Sequence, residues 1–244
     1  RAREAARPAP TVAVADEVPA ELVLEATDPA ANVASTNAIL NVSRLEIPQA
    51  SQPVLDGLCE DTQYTGVQIS LEPYAGGGQP NVKLLRTADA LWACFGGMQR
   101  SFTSFIGYAG LRVDVNNSRD TVAQSDDYGF FVGEDGTPFT RAGDGGFENP
   151  GPGGLSAQVS SEGSFWSAEL KIEASVLGGW DHPIGLELEQ YRRLLLSWRW
   201  YNWPFVAAIN NPQTWAWTIL GDLPAIQSTS PESTTAGGSS FTLT

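Results

Sequence analysis

Residues 107–132, GYAGLRVDVNNSRDTVAQSDDYGFFV, contain two β-prone runs joined by a turn-rich segment. The runs 107–115 and 128–132 carry Val, Tyr and Phe, whereas the Asn, Asp and Ser residues between them favour turns. Further β-prone runs lie at residues 66–71, 82–85, 90–95, 155–159, 165–172, 184–191 and 194–203. The segments between the runs show almost no convincing helix. Short strands at this spacing predict an all-β fold, an antiparallel immunoglobulin-like (jelly-roll-type) β-sandwich.

The two ends of the chain differ in composition from the part between them. Residues 1–52 are rich in Ala, Pro and Val without a helical period, which predicts an extended arm. Within it, residues 39–47 alternate as a strand that could pair with this sheet or with another molecule's. Residues 228–244 form a Ser/Thr/Gly-rich tail that ends in the β-prone peptide SFTLT. The predicted sandwich therefore spans residues 53–227.

Composition and charge limit the function. The chain has 244 residues, of which 42% are hydrophobic, and a net charge of −14, which would repel a phosphate backbone. Nucleic acid is therefore not an expected partner. No apolar run approaches the ~20 residues that a membrane span needs, and the chain begins at Arg1 without a signal-type segment. We expect a processed form that is secreted or held at the cell surface.

Four motifs, in this order, resemble a known family. They are PVLDGLC (53–59), VKLLRTADALWACF (82–95), DDYGFFV (126–132) and WSAELKI (166–172). Together they resemble the family-9 carbohydrate-binding modules and the related DOMON-like sandwiches, over roughly residues 53–223. Members of that family are non-catalytic, and they bind sugars, act as spacers beside enzymes or hold haem. The resemblance implies a secreted module that binds polysaccharide.

Tryptophan is concentrated near the C-terminal end, at Trp198, Trp200, Trp203, Trp215 and Trp217. In a strand over 194–203, Trp198 and Trp200 share one face while Arg199, Tyr201 and Trp203 share the other. Flat aromatic rings stack on the C–H groups of a pyranose, and nearby carboxylates and amides bond its hydroxyls. The candidate ligand-binding residues are Trp180, Trp198, Trp200, Arg199, Asn202 and Glu189. Trp180, in the loop GGWDH, is expected to be the most exposed tryptophan.

A second interpretation of these tryptophans stays open. Tryptophan buries much apolar area, so core packing or contact with another subunit is the commoner role for any one of them. Both terminal regions also hold β-prone segments. The alternative function is therefore a structural subunit of an extracellular filament or surface layer, assembled from copies of itself by strand donation from the terminal arms. That alternative implies a homo-oligomer or polymer.

An acidic segment offers oxygen ligands of the kind that Ca²⁺ takes in proteins. The candidate metal ligands are Asp114, Asn116, Asp120, Asp126 and Asp127. The spacing is not that of an EF-hand, and turns rich in Asp and Asn form without an ion. A plain turn is the favoured alternative.

The two cysteines, Cys59 and Cys94, follow a turn and lie in a predicted strand, respectively. Adjacent strands would bring them together as one disulfide, which would contribute ~3–4 kcal/mol by loop-closure arguments. Two buried thiols are the alternative to this bridge.

No catalytic arrangement is evident, and no organic cofactor is expected. His182 is the only histidine, no Ser lies in a nucleophile-elbow pattern, and Glu187 and Glu189 share a strand face as many solvated pairs do. Haem would need axial donors, and those available are Met98, His182, Lys83 and Lys171. We therefore expect a non-enzymatic protein.

Overall fold

The structure is a computed structural model that describes residues 18–27, 32–42, 44–101, 107–194, 197–221, 229–230 and 242–243. Its strands are β1 Val18–Thr27, β2 Val33–Val42, β3 Arg44–Glu46, β4 Val67–Ser70, β5 Asn81–Arg86, β6 Ala90–Gln99, β7 Tyr108–Asp114, β8 Asp127–Gly133, β9 Pro138–Ala142, β10 Asn149–Pro150, β11 Leu155–Glu162, β12 Phe165–Glu173, β13 Pro183–Arg193, β14 Trp198–Trp203, β15 Ala216–Ile219, β16 Thr229–Ser230 and β17 Thr242–Leu243. Short 3-10 turns lie at Ala174–Leu177 and Pro212–Thr214.

Two sheets enclose the core. The eight-stranded sheet has the order β10-β9-β8-β7-β13-β15-β3, and β14 also pairs with β13. The five-stranded sheet has the order β11-β12-β6-β5-β4. Pairing within both sheets is antiparallel except between β15 and β3. The predicted all-β sandwich is confirmed.

Alternation along each strand separates the core from the outer faces. In β7, Ala109, Leu111 and Val113 are buried in the core cluster, together with Leu186 and Leu188 of β13. The residues between them point to the opposite side of the eight-stranded sheet because successive side chains of a strand alternate. Strand β13 pairs with β7 on one side and with β14 and β15 on the other, so it lies at the centre of that sheet.

The outer face of the five-stranded sheet is covered by the segment that precedes β4. Cys59 and Tyr64 from this segment pack on Leu85, Trp92 and Cys94 of the sheet. Cys59 and Cys94 form a disulfide, which confirms the predicted bridge. The cover thus has both an apolar contact and a covalent link.

The terminal regions pair within the chain where the structure describes them. Strand β1 pairs with β2 in a separate two-stranded sheet, and β3 pairs with β15 of the sandwich. The alternating segment 39–47 is therefore divided between that hairpin and the chain's own sheet. At the other end, β16 pairs with β17. Residues 1–17 lie outside the described residues, and the division into arm, sandwich and tail stays a prediction, as does strand donation.

Candidate functional site

The outer face of the eight-stranded sheet carries most of the candidate residues. Glu189 of β13 is opposite Asn202 of β14, and Tyr191 is opposite Trp200. On the other side of β13, Glu187 is opposite Arg112 of β7. Directly opposite residues of an antiparallel pair share a face. These side chains therefore project from the same side of the sheet, away from the core.

Five rings form an aromatic row across this face, from β9 through β8, β7 and β13 to β14. Successive centroids lie 5.2 Å apart for Phe139 and Phe131, 5.2 Å for Phe131 and Tyr108, 4.9 Å for Tyr108 and Tyr191, and 5.1 Å for Tyr191 and Trp200. Tyr108 and Tyr191 are stacked, with 17° between their planes. The Phe131 and Tyr108 rings meet edge-on, at 66°, the Tyr191 and Trp200 planes are 55° apart, and Phe131 is only 2% exposed. The row is therefore a packed series of rings, and a sugar ring can pack only on its accessible members.

Two glycines make room for the Phe131 ring, the second in the row. A Cβ atom added to Gly110 would lie 2.6 Å from the Phe131 ring, and one added to Gly129 would lie 2.4 Å from it. Side chains at these positions would displace Phe131, since real Cβ atoms do not approach so closely. The glycines of β7 and β8 thus let the ring lie down on the sheet.

A buried charge cluster lies beside the aromatic row. Nη1 of Arg112 is 2.8 Å from Oε2 of Glu187 and 2.7 Å from Oε2 of Glu189. The Arg112 guanidinium also lies over the rings of Phe131, at 5.1 Å, and Phe147, at 5.0 Å. Arg112 is 4% exposed and both carboxylates are 0% exposed. The solvated interpretation of the two glutamates is therefore wrong, although they do share a strand face.

One cation between two carboxylates leaves the cluster with an excess negative charge when all three groups are ionised. Oε1 of Glu187 and Oε1 of Glu189 have no hydrogen-bond partner among the described residues. Burial and the nearby charge of Glu189 together raise the pKa of Glu187 to about 8, against the lowering effect of Arg112. Burial lowers the pKa of Arg112, but Glu189 and Glu187 raise it more, so the guanidinium stays charged. A protonated Glu187 brings the cluster close to neutrality.

The candidate residues on β14 are divided between its two faces. Trp198 is 55% exposed, and the Arg193 guanidinium lies 5.5 Å from the centre of its ring. Asn202 lies on the same face, where its side-chain nitrogen donates a hydrogen bond of 3.0 Å to the carbonyl oxygen of Ala207. Arg199 points to the other side, with Nη2 3.5 Å from Oε2 of Glu72. The alternation predicted for this strand is observed.

Trp180 lies apart from the other candidates. It precedes β13, whereas Trp198 follows the strand, so about 11 residues at ~3.3 Å each separate the two ends. Its ring nitrogen donates a 3.0 Å hydrogen bond to the carbonyl oxygen of Ala88, and the ring packs against the core. Trp203 and Trp215 are each 1% exposed. The tryptophans therefore divide between core packing and surface, with Trp198 the exposed one.

Among the comparisons with known proteins, the one with solved structures supports the fold. No family model matches this chain, and no curated protein matches it. A family-9 carbohydrate-binding module from Caldicellulosiruptor kristjanssonii, solved in complex with cellotriose, is similar with a TM-score of 0.57 and 18% identity, over 74% of this chain and 93% of the module. A glucose complex from the same organism has a TM-score of 0.57 and 19% identity, over 73% and 95%. The chain has the fold of the family-9 carbohydrate-binding modules.

The candidate metal ligands are occupied by hydrogen bonds of their own loop. Asp114 accepts backbone N–H groups of Ser118, at 3.0 Å, and Arg119, at 2.9 Å. Asp127 accepts the N–H of Gln124 at 2.7 Å, and burial raises its pKa to about 7. Among the described residues, no group of three or more His, Cys, Asp or Glu side chains is arranged to hold a metal ion.

Two further candidates, Asn116 and Asp126, bond each other at 2.5 Å, and the hydroxyl of Ser118 bonds Asp120 at 2.9 Å. All five candidates thus lie in one loop region whose side chains stabilise its turns. Calcium binding there stays a prediction. Within the described residues, no helix is long and apolar enough to cross a membrane.

Arg112 and most rings of the aromatic row were not predicted from the sequence. The sequence feature that could have identified the cluster is the presence of charged residues, Arg112, Glu187 and Glu189, within β-prone runs. A charge at such a position needs a partner when the strand is buried on both sides. The partners come from strands far apart in the sequence, so only the register of β7 and β13 identifies them.

Proposed function

We propose that this chain is a secreted, non-catalytic module that binds polysaccharide on the aromatic face of the eight-stranded sheet, against Trp198, Trp200 and Tyr191. The observation that carries the proposal is the 55% exposure of Trp198 beside the contact of Tyr191 with Trp200. Pyranose rings pack their C–H groups on such flat surfaces. The modules with the same fold were solved with cellotriose and with glucose, which supports neutral glucose-based sugars as the first ligands to test.

The polar groups around the rings suit hydroxyl recognition. Arg193 brings N–H donors next to the Trp198 ring. The buried Arg112 cluster fixes the row from the side and leaves no net positive charge that would favour a polyanion here. The disulfide between Cys59 and Cys94 is typical of an oxidising compartment, which supports secretion.

The direct test is a titration of the full chain with cellotriose and glucose, followed by tryptophan fluorescence and calorimetry. Stacking excludes water from an indole face, so binding should shift the emission. Trp198→Ala should weaken binding about tenfold, which corresponds to ~1.4 kcal/mol and matches the usual strength of aromatic contacts.

The matched control is Leu58→Ala. Leu58 is also an exposed apolar side chain, 49% exposed, but it lies in the segment before β4, away from the aromatic face. Its replacement should leave the affinity for neutral sugar unchanged. An absence of any response to millimolar neutral glycans in the wild-type chain would contradict the proposed function.

A further inference from the structure

A cavity of about 640 Å³ opens where β6 ends and β12 begins. Its lining includes Gln99, Arg100, Ser101, Ser164, Phe165 and Arg192. The volume is within the usual range of ~300–1,000 Å³ for small-ligand sites. Arg192 and Arg193 are neighbours in β13, so their side chains lie on opposite faces of the sheet, and Arg193 is the one beside Trp198. The cavity is therefore separate from the aromatic face.

Two guanidinium groups dominate the chemistry of the cavity. Nε of Arg192 donates a 2.9 Å hydrogen bond to the carbonyl oxygen of Arg100, which holds the Arg192 side chain in place above the Tyr74 ring. The Arg100 side chain is 46% exposed, and its Nε lies 3.8 Å from Oε2 of Glu134. Among the described residues, the Nη groups of both arginines have no hydrogen-bond acceptor. Within the described residues, these Nη groups are charged donors that a ligand can take.

The nearby carboxylate pairs with only one of the two guanidinium groups. Oε1 of Glu134 already accepts the backbone N–H of Ser101 at 2.8 Å, and its side chain is 8% exposed. Two arginines and no carboxylate line the cavity, in a chain whose net charge is −14. A guanidinium binds a carboxylate through two parallel hydrogen bonds, which is the strongest pairing open to it. The cavity thus selects an anion.

The remaining lining points to a ring with hydroxyl groups. Phe165 is 49% exposed and offers an apolar surface, while Gln99 and Ser164 offer neutral polar groups. A bare inorganic anion would leave these unused. We propose that the cavity binds a sugar that carries a carboxylate, as a uronic acid does. The requirement for an anion is independent of the aromatic face, whereas the choice of a sugar as its carrier rests on the proposed function.

Calorimetry on the full chain with glucuronate, glucose, acetate and inorganic phosphate tests the ligand class. Glucuronate should bind at least tenfold more tightly than glucose and than either small anion, because only it fills both the charged and the ring-binding parts. Because glucose is also a proposed ligand of the aromatic face, glucuronate and glucose are compared in the Trp198→Ala chain, and equal affinity there would remove the anion site. Acetate or phosphate binding as tightly as glucuronate would remove the sugar assignment.

Variants locate the site and separate it from the aromatic face. Arg100→Gln, at a partly exposed side chain, should weaken glucuronate binding at least tenfold, and Phe165→Ala should also weaken it. Arg119→Gln, a charge-matched control in the loop after β7, should have no effect. Trp198→Ala should spare glucuronate and weaken cellotriose, with the reverse for Arg100→Gln. An Arg100→Gln chain that is folded by circular dichroism and still binds glucuronate normally would overturn the inference. The comparison of glucuronate with acetate and phosphate is made in the wild type and needs no variant.

Discussion

The segment before β4 covers the outer face of the five-stranded sheet around β5 and β6, here called the sealed face, whereas the outer face of the eight-stranded sheet leaves Trp198 55% exposed. Both faces bury glutamate, but they stabilise it differently. Glu169, under the sealed face, accepts the backbone N–H groups of Asp56, at 2.9 Å, and Gly57, at 2.8 Å. Glu187 and Glu189 depend on a single guanidinium.

This difference separates two ways of making a surface. The sealed face is fixed by a covering segment, a disulfide and backbone hydrogen bonds, all of which serve stability. The aromatic face is held by ion pairs between β7 and β13, and its edge at Trp198 is accessible. One sheet therefore anchors the chain while the other is available for contact. Three measurements test this difference between the two faces.

The largest effect is expected at Arg112 on the aromatic face. Arg112→Met leaves two buried carboxylates without a cation, so the free energy of unfolding should fall by ~3–5 kcal/mol. Chemical denaturation checks this. As a control, Arg141→Met removes a half-buried arginine that lies over Phe139 and should have a much smaller effect.

A triple variant distinguishes lost charge balance from lost packing. Replacing Arg112, Glu187 and Glu189 together by apolar residues of similar volume should restore most of the stability, since an isosteric apolar set avoids desolvation of charge. A triple variant as unstable as Arg112→Met alone would show that the cluster does not act through its charges.

The next largest effect concerns the sealed face. The disulfide closes a loop with a sequence separation of 35 residues, so its loss should lower the free energy of unfolding by ~3–4 kcal/mol. At ~2–4 °C per kcal/mol for a chain of this size, reduction should lower the melting temperature by about 6–16 °C. Affinity for neutral sugar should not change. A double Cys59→Ser, Cys94→Ser chain is the control, since reductant should not alter its melting temperature.

The last effect is a pH dependence at Glu187, and its change within one pH unit is smaller than either loss above. Folding raises its pKa from 4.5 to about 8, so the folded chain keeps a proton that the unfolded chain releases within that range. The stability from this group is full below pH 4.5 and is lost as the pH rises to about 8. The difference in free energy of unfolding between wild type and Glu187→Gln should change by at most ~1.4 kcal/mol per pH unit there. Parallel pH profiles for the two chains would contradict the assignment.

Much of the fold was predictable from the sequence because strand periodicity is local. The runs at 107–115, 128–132 and 165–172 correspond to β7, β8 and β12 within one or two residues. Strands β9 and β15 were not predicted, since five residues around Arg141 and four around Trp217 give too little alternation to stand out. The pairing of Cys59 with Cys94 was predictable, because the chain has two cysteines and the segment that holds Cys59 was expected to lie beside the strand that holds Cys94.

The candidate site was less predictable, since it depends on register. That Trp198 and Trp200 share a face follows from alternation alone, and the structure agrees. That Trp180 lies at the far end of β13 does not, because its position depends on which strands pair. The cation of the buried cluster and its carboxylates are 75 residues or more apart in sequence, and no local pattern links Arg112 to Glu187.

The edges of the two sandwich sheets bear on how the protein behaves at high concentration. In the described residues β14 pairs only with β13 and leaves a six-residue edge. The rest of the eight-stranded sheet ends at β10 and β3, which are two and three residues long, and β10 contains Pro150, which has no N–H. Such edges offer few main-chain groups to a strand of another molecule. The net charge of −14 adds mutual repulsion. Aggregation by edge pairing is therefore opposed twice, and salt should promote it first at β11, an edge strand of eight residues.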